Sequence, residues 1–303
     1  MSESQRPPKA HSVDRPAALV DKTILSAQNP VMSDFRDLLS AKGIRKQGYF
    51  IVAGERAVRE TLERYPALAR NLLLCADRHV PQGQVATHPA SGPSAWVDLV
   101  RHARELTTGN EPRFSVIALG RTLFDELDPS GTHVPLLVAK TPAVAEADLA
   151  AKPQGLEILC ALGDPSNVGA LLRTAAAFGA SRIVLLKECA TPFHPKAVRA
   201  ASAATLMTPL AKGPSIRELP ALIESGEIEG PILALDMIGE SLNQFTWPKD
   251  ARLLLGEEGQ GVPSSQGFKF ISVPMQIGVE SLNATVAASV ALYSYRLGRP
   301  LGS

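Results

Sequence analysis

In the second half of the sequence, short and continuously apolar runs alternate with segments of helical pattern. Strands that are apolar on both faces are typical of a parallel sheet that helices cover on each side. The alternation therefore predicts an α/β fold with such a sheet for residues 156–303. The apolar runs are Leu156–Leu162, Arg182–Lys187, Pro231–Asp236, Arg252–Gly256 and Phe270–Pro274.

The first half has the pattern of a smaller α/β domain, over residues 29–140. The periodicity predicts helices over Ser33–Ala41, Glu55–Glu63 and Ser94–Leu106, and strands that begin at Tyr49, Asn71, Phe114 and Leu136. Residues 1–28 are polar and contain prolines, which favours a mobile tail. Residues 141–155 are rich in alanine, proline and acidic side chains, which is the composition of a linker.

Composition excludes several classes of protein. The chain of 303 residues has a net charge of +1 and is 45% hydrophobic, as expected for a globular protein without a strongly basic surface overall. A local basic face that binds nucleic acid is still compatible with this average. Cys75, Cys160 and Cys189 lie in or beside apolar runs, so we interpret them as reduced core residues. We expect a cytoplasmic protein without a metal ion or a membrane partner.

The segment DPSNVGALLRTAAAFGA, residues 164–180, places polar groups after the first of these strands. Asn167 precedes a helix that Gly179 is suited to end. Taken alone, Asn167 is explained equally well as a helix N-cap, and Arg173 as a solvated residue. Gly169 is unfavourable in a first helical turn unless backbone or ligand approaches closely. Arg173 offers a planar charged fork suited to phosphate, and we expect it to point back toward the strand ends.

The segment LLLGEEGQGVP, residues 253–263, is a strand that runs into a glycine turn. Gly256, Gly259 and Gly261 allow positive φ and expose backbone groups to a ligand. A tight surface turn is the simpler interpretation. The GxxGxG spacing and the proline that follows argue against a dinucleotide-binding loop of the GxGxxG type. Glu258 stands between two glycines, where its carboxylate would lie near any ligand of the loop.

The segment ISVPMQIGVESLNATVAASVALY, residues 271–293, ends in a predicted helix. Ser281 and Asn283 stand at its start, and capping explains one of them. The helix carries an apolar stripe that consists of Leu282, Val286, Val290, Tyr293 and Leu297.

Together these three segments resemble the three motifs of the SpoU, or TrmH-type, branch of the SPOUT RNA methyltransferases, over roughly residues 156–297. The preceding domain more loosely resembles the substrate-binding domain of many members. Residues 42–62 carry that part of the resemblance, with Ala53 where a glutamate is usual.

The resemblance implies a trefoil knot in the C-terminal domain, a homodimer, and transfer of a methyl group from S-adenosylmethionine to a ribose 2′-hydroxyl of RNA. The resemblance makes Arg173 the candidate for removing the 2′-proton. Because a guanidinium stays protonated, a nearby phosphate, water or backbone carbonyl would instead accept the proton while Arg173 supplies positive charge. The implied catalytic residues are Asn167, Arg173, Glu258, Ser281 and Asn283. The implied cofactor-binding residues are Leu235, Gly256, Gly261, Val273, Pro274 and Leu282.

Cations of the first domain suggest how RNA is held. We predict phosphate contacts from a basic cluster. A folded N-terminal domain of this size resembles family members that act on ribosomal RNA more than those that act on tRNA, so the resemblance favours ribosomal RNA, with tRNA next. A non-catalytic RNA-binding protein of the same fold is the alternative. A nucleotide-dependent oxidoreductase is disfavoured by the glycine spacing. The predicted basic cluster consists of Lys42, Arg45, Lys46, Arg56 and Arg59.

Overall fold

A computed structural model of the protein describes residues 19–80, 93–129, 131–297 and 299. The first half forms a sheet of five strands flanked by helices. The strands are β1 (Lys22–Ile24), β2 (Tyr49–Val52), β3 (Ala69–Cys75), β4 (Ser115–Leu119) and β5 (Leu136–Lys140), and the helices are α1 (Pro30–Asp37), α2 (Ala41–Gln47), α3 (Glu55–Arg64), α4 (Ala76–His79), α5 (Pro93–Leu106) and α6 (Arg121–Leu127). Their order in the sheet is β1-β4-β3-β5-β2; β5 is antiparallel to both β3 and β2, and the other pairings are parallel.

The second half forms a sheet of seven strands whose pairings are all parallel. The strands are β6 (Ala145–Glu146), β7 (Leu156–Cys160), β8 (Arg182–Leu185), β9 (Leu210–Lys212), β10 (Ile232–Ser241), β11 (Ala251–Leu255) and β12 (Phe268–Ser272), and the helices are α7 (Pro165–Phe178), α8 (Pro195–Ala201), α9 (Leu219–Glu224) and α10 (Ala284–Arg296). Their order is β12-β10-β11-β7-β8-β9-β6. The predicted parallel α/β sheet is therefore confirmed.

Helices cover both faces of this second sheet, as predicted. Ile158 of β7 packs in one core cluster with residues of α7 and α10. Its neighbour Leu159 packs in a separate cluster with Leu219 of α9. Alternate residues of the same strand are thus buried on opposite faces, which is why the strand sequence is apolar throughout. None of the described helices combines the length and apolar character that crossing a bilayer requires.

Three segments differ from their sequence predictions. Residues 22–24 of the predicted tail form β1, because Ile24 is buried and pairs beside Leu119 of β4; residues 1–18 lie outside the described part. Residues 145–146 of the predicted linker form β6 at the edge of the second sheet. The helix predicted over residues 33–41 is two helices, because the Ser40 hydroxyl accepts a hydrogen bond from the Gly43 amide and begins α2.

The two halves share a core. The Phe50 and Phe193 rings are 5.0 Å apart, and the Tyr65 hydroxyl donates to the Leu206 carbonyl at 2.9 Å. Helix α8 is in turn tightly packed on α7, since a Cβ at Gly169 would lie 2.1 Å from the Ala197 carbonyl oxygen. Close approach of backbone therefore explains the glycine in the first turns of α7.

The C-terminal segment leaves the sheet at its edge strand, β12. That strand lies beside β10, and a Cβ at Gly239 would lie 2.5 Å from the Phe270 carbonyl carbon. After β12 the chain returns past the ends of β10 and β11 and enters α10, which packs on α7. This path is compatible with a trefoil knot, and the threading of the segment stays a prediction.

Candidate functional site

A cavity of about 600 Å³ lies at the carboxyl ends of β10, β11 and β12. In parallel α/β sheets this edge is where ligands bind. The three segments singled out in the sequence all contribute to its wall. From the predicted residues, the lining includes Asn167, Leu235, Gly256, Glu258, Gly261, Val273, Ser281, Leu282 and Asn283.

Asn167 enters this cavity because another residue caps its helix. The Asp164 carboxylate accepts hydrogen bonds from the Ser166 and Asn167 amides, and Pro165 occupies the first helical position. The bond from the Asn167 amide, with smaller contributions from Ser166, lowers the pKa of the Asp164 carboxyl. The interpretation of Asn167 as only an N-cap is therefore wrong, and its side-chain amide is available for other contacts.

Glu258 ties the glycine loop to the start of α7. One of its oxygens accepts the Gly163 amide at 2.6 Å. The other accepts the Asn167 side-chain amide at 3.1 Å. Both carboxylate oxygens are thus engaged by the protein, so we interpret Glu258 as a positioning residue and not as a proton acceptor.

Asn283 joins the third segment to the same network. Its Oδ1 accepts the Thr285 and Val286 amides and caps α10. Its side-chain nitrogen donates to Asn167 Oδ1 at 3.0 Å. The Thr285 hydroxyl donates to the Asn167 carbonyl at 3.0 Å. A continuous chain of hydrogen bonds therefore runs from Glu258 through Asn167 to Asn283.

The lining of the cavity combines apolar surface with acidic side chains. Leu235, Leu255, Val273 and Ala287 supply apolar surface. Within the described residues, the lining holds no lysine, arginine or histidine, and its carboxylates are Asp236, Glu257, Glu258 and Glu280. This charge distribution favours a ligand that carries positive charge.

The glycine loop allows backbone to form part of the wall. A Cβ at Gly256 would lie 2.4 Å from the Gly261 carbonyl, and residues 257 and 261 form a β-bridge. Gly261 has φ of 71°. The loop is thus a closed turn in which Gly259 and Gly261 have the predicted positive φ, whereas Gly256 does not and is glycine because Gly261 approaches it closely. That the loop offers peptide groups to a ligand stays a prediction. Pro274, predicted as a cofactor contact, is not part of the lining.

Arg173 stands apart from the other predicted catalytic residues. It is exposed on α7 and does not line the cavity. Six residues of α-helix rise about 9 Å along the axis and turn about 600° around it. The two positions therefore differ by about 120° around the helix axis. Arg173 therefore lies on a different side of α7 from Asn167. The expectation that its side chain points back toward the strand ends stays a prediction.

Sequence reasoning missed several residues that hold the site together. Arg217, in the turn before α9, donates to Glu257 at 3.1 Å and to Gln260 at 2.8 Å, and so braces the glycine loop. No local pattern marks this contact, because Arg217 is distant in sequence. Asp164 had a recognisable signal, since Asp followed by Pro is a strong helix start.

The apolar stripe of α10 faces outward. Val286, Tyr293 and Leu297 are 50%, 55% and 60% exposed. The buried side of the helix consists instead of small residues and a few large ones, among them Ala288, Ala291 and Leu292. An amphipathic pattern alone does not say which partner covers the apolar face. In this chain that face is left uncovered.

The predicted basic cluster is partly neutralised. Arg56 pairs with Glu60 at 2.6 Å and Arg59 with Glu55 at 3.1 Å along α3. Lys46 pairs with Asp37 at 3.4 Å. Within the described part of the chain, Lys42 and Arg45 have no such carboxylate partner, and both are exposed on α2.

Comparison with known proteins gives a family match and several relatives. The model of the SpoU rRNA Methylase family matches residues 157–293. The Ribosomal RNA small subunit methyltransferase G 2 of Syntrophobacter fumaroxidans is 35% identical over 277 residues, which are 90% of this chain and 49% of the relative. The chain thus spans about half the length of that relative.

In two further comparisons, the alignment covers nearly the whole of both chains. The 23S rRNA (guanosine(2553)-2′-O)-methyltransferase RlmP of Bacillus subtilis is 26% identical over 91% of this chain and 99% of its own. The structure of an AdoMet-bound rRNA methyltransferase from Sinorhizobium meliloti aligns with a TM-score of 0.71 over 93% of this chain and 100% of its own, at 20% identity. That structural likeness concerns the fold.

Proposed function

Because residues 157–293 match the model of the SpoU rRNA Methylase family, we propose that this chain transfers a methyl group from S-adenosylmethionine to a ribose 2′-hydroxyl of RNA, with ribosomal RNA as the substrate. The observation that carries this proposal is the hydrogen-bonded chain from Glu258 through Asn167 to Asn283. It joins all three motif segments at one cavity. The presence of all three polar residues at one cavity argues against a protein that kept the fold only for binding.

The cavity suits the cofactor in size and in charge. Its volume of about 600 Å³ lies in the range of small-molecule sites. Leu235, Val273 and Leu282 offer apolar surface to an adenine ring, and the peptide groups of the glycine loop offer hydrogen bonds. The acidic lining is complementary to a sulfonium and an ammonium group. When bound, the cofactor would supply an electrophilic methyl carbon.

The residues of this chain would position the two reacting groups and stabilise charge. The ribose oxygen gains the methyl group and loses its proton, so negative charge develops on that oxygen during the transfer. We assign Asn167, Ser281 and Asn283 to holding the ribose beside the cavity. Glu258 keeps the glycine loop in place. Arg173 would supply positive charge to the 2′-oxygen or to an adjacent phosphate.

Methyl transfer from labelled S-adenosylmethionine to unmodified ribosomal RNA and to unmodified tRNA tests this proposal. We expect label in ribosomal RNA that survives alkaline hydrolysis as a dinucleotide, because a 2′-O-methyl group blocks cleavage of the next phosphodiester bond. The control omits the protein. Cofactor binding without transfer to free RNA or ribosomal particles would leave a non-catalytic RNA-binding protein. Absence of both binding and transfer would refute the assignment.

The N-terminal half would serve as the RNA-binding domain, over residues 29–140. Lys42 and Arg45 are the members of the basic cluster best placed for phosphate contacts, since both are exposed and free of carboxylate partners in the described chain. The paired Lys46, Arg56 and Arg59 would contribute less. Such contacts orient the RNA on the protein without reading its sequence.

The apolar face of α10 supports a homodimer. Tyr293 also stacks edge-on against Phe178 of α7, with ring centroids 6.2 Å apart, so the apolar surface continues from one helix to the other. A continuous apolar surface of this kind is unusual on a monomer and is suited to a self-complementary twofold contact. Arg173 is an exposed residue of the same α7.

A charge on this face should therefore separate the subunits. We expect the wild-type protein to be a dimer, and Val290→Lys to be a monomer with at least about a hundredfold weaker association, because the lysine would be buried in the contact. Light scattering coupled to size-exclusion chromatography measures this. Leu25→Lys is the matched control, since Leu25 is also apolar and 72% exposed. A wild-type monomer at micromolar concentration would contradict the prediction.

A further inference from the structure

A second cavity, of about 340 Å³, lies on the N-terminal sheet. It opens on the face covered by α1, which is opposite to the face that packs against Phe193 and Val198 of the C-terminal half. It is therefore separate from the cavity at the carboxyl ends of the second sheet. Helix α2, which carries Lys42, Arg45 and Lys46, ends at this cavity, because its last residue, Gln47, is one of the lining residues.

The cavity exists because α1 is too short to cover the sheet. Eight residues of helix span about 12 Å, whereas the seven residues of β3 span about 23 Å. The chain then turns at Leu38 and Ser40 into α2. The starts of β2, β3 and β4 are left uncovered on this face.

The residues at those strand starts change from apolar to polar. Ile51, Leu73 and Ile117 are buried under the helices. Two positions earlier on the same strands, and hence on the same face, stand Tyr49, Asn71 and Ser115. A surface that only needed to be solvated would not require an aromatic ring, an amide and a hydroxyl around one concave site.

These polar groups keep hydrogen-bonding capacity for a ligand. The Asn71 amide nitrogen donates to the Ser115 hydroxyl oxygen at 2.7 Å. Within the described residues, the side-chain oxygen of Asn71 and the Tyr49 hydroxyl have no hydrogen-bond partner. The Asp34 carboxylate at the rim accepts one bond, from Gln47 at 3.2 Å. The lining thus offers acceptors, an aromatic ring and donors that include the Arg70 guanidinium, one nitrogen of which donates to the Arg113 carbonyl, with Phe35 and Val138 as apolar residues.

We propose that this cavity binds an unpaired nucleobase of the RNA substrate, a role that rests on the proposed function. Proteins recognise single-stranded RNA by splaying out a base, stacking its face on aromatic or apolar side chains, and bonding its edge. The combination of Tyr49, Asn71 and Ser115 provides each of these elements. The exposed Lys42 and Arg45 on α2 would then hold the adjoining phosphates.

Direct binding of free nucleosides to the full chain tests the proposal. Saturation-transfer NMR would be recorded with adenosine, guanosine, cytidine and uridine, in the presence of saturating S-adenosylhomocysteine to occupy the first cavity. We expect at least one nucleoside to bind at millimolar concentration. Ser115→Leu should weaken that binding at least about tenfold, because the larger side chain fills the cavity.

A milder variant and a control keep the result interpretable. Tyr49→Phe removes only the hydroxyl and should weaken binding about three- to tenfold, in line with the loss of one hydrogen bond. Ser33→Ala is the control, because Ser33 is exposed on α1 and does not line the cavity. Thermal unfolding of each variant shows whether it is folded.

No nucleoside binding by the wild-type chain would overturn the proposal. So would binding that is unchanged in folded Ser115→Leu and Tyr49→Phe proteins. The methyl-transfer assay is separate from this measurement. Nucleoside binding without any methyl transfer would leave the cavity assignment intact and count against the enzyme alone, whereas transfer without nucleoside binding would do the reverse.

Discussion

Arg173→Ala should lower the rate of methyl transfer at least about a hundredfold while leaving the affinity for S-adenosylmethionine unchanged. Removal of a single group that stabilises a developing oxyanion has an effect of this size. Arg173 is outside the cofactor cavity, so cofactor binding should not depend on it. Single-turnover transfer to RNA and calorimetric titration of the cofactor measure the two quantities.

Control variants distinguish the effect of the positive charge from the effect of the planar guanidinium group. Arg173→Lys should recover only part of the rate, because lysine lacks the planar fork. Arg101→Ala is a matched control, since Arg101 is also an exposed helical arginine and lies in the N-terminal half. Near-normal turnover of a folded Arg173→Ala protein would remove this residue from the mechanism.

The place of Arg173 outside the lining of its own cavity raises the question of which subunit it serves. Two routes bring it to the reacting hydroxyl: RNA reaches it on the same chain, or a dimer carries it to the partner's cavity. Mixing Arg173→Ala with Asn167→Ala subunits distinguishes them. If Arg173 acts in the partner's cavity, mixing should restore about a quarter of the wild-type number of active sites. Half of the dimers are then mixed, and each mixed dimer has one site with both an intact Asn167 and an intact Arg173. If Arg173 acts in the cavity of its own chain, mixing should restore no activity, because each subunit lacks one of the two residues.

The fold was largely predictable from the second half of the sequence. Strands such as Leu156–Cys160 are buried on both faces, so their continuous apolar runs are a local property that the sequence displays. Short edge elements were missed. The strand Lys22–Ile24 has a single buried residue, Ile24, and its pairing depends on β4, which is far along the chain.

The site was predictable in its membership but less so in its roles. Asn167, Glu258 and Asn283 meet as the motifs suggested. The capping role of Asp164 and the bracing role of Arg217 depend on geometry that spacing alone does not determine. The sequence also does not indicate whether the apolar stripe of α10 faces the core or the surface, because a stripe that packs in a core and one that forms a subunit contact have the same periodicity.

Arg252 is the second residue whose replacement should have a large effect, in this case on stability. Its side chain is fully buried. The guanidinium bonds Glu157 at 3.0 Å and the Ala151 carbonyl at 2.6 Å, and also bonds the Glu229 carbonyl. It therefore holds the segment that leads into β7 against the start of the sheet, away from the cavity.

Arg252→Met should lower the free energy of unfolding of the C-terminal half by about 3–5 kcal/mol, because it leaves the Glu157 carboxylate and two carbonyl groups buried without this partner. Urea unfolding followed by fluorescence measures this in a Trp96→Phe background. Trp96 lies in the N-terminal core and Trp247 in the C-terminal core, so the remaining tryptophan reports on the half that contains Arg252.

Three further variants, namely Arg182→Met, Glu157→Met and the double variant Glu157→Met, Arg252→Met, show whether the buried charge is the cause. Arg182→Met removes the partly exposed second partner of Glu157, a contact of 2.8 Å, and should cost only about 1 kcal/mol. The double variant Glu157→Met, Arg252→Met should lose less stability than the sum of the single losses, because no carboxylate is then left without its partner. A small effect of Arg252→Met alone, or strict additivity in the double variant, would contradict this account. Methyl transfer by the folded fraction should persist in all of them, since the pair lies at the opposite end of the strands from the cavity.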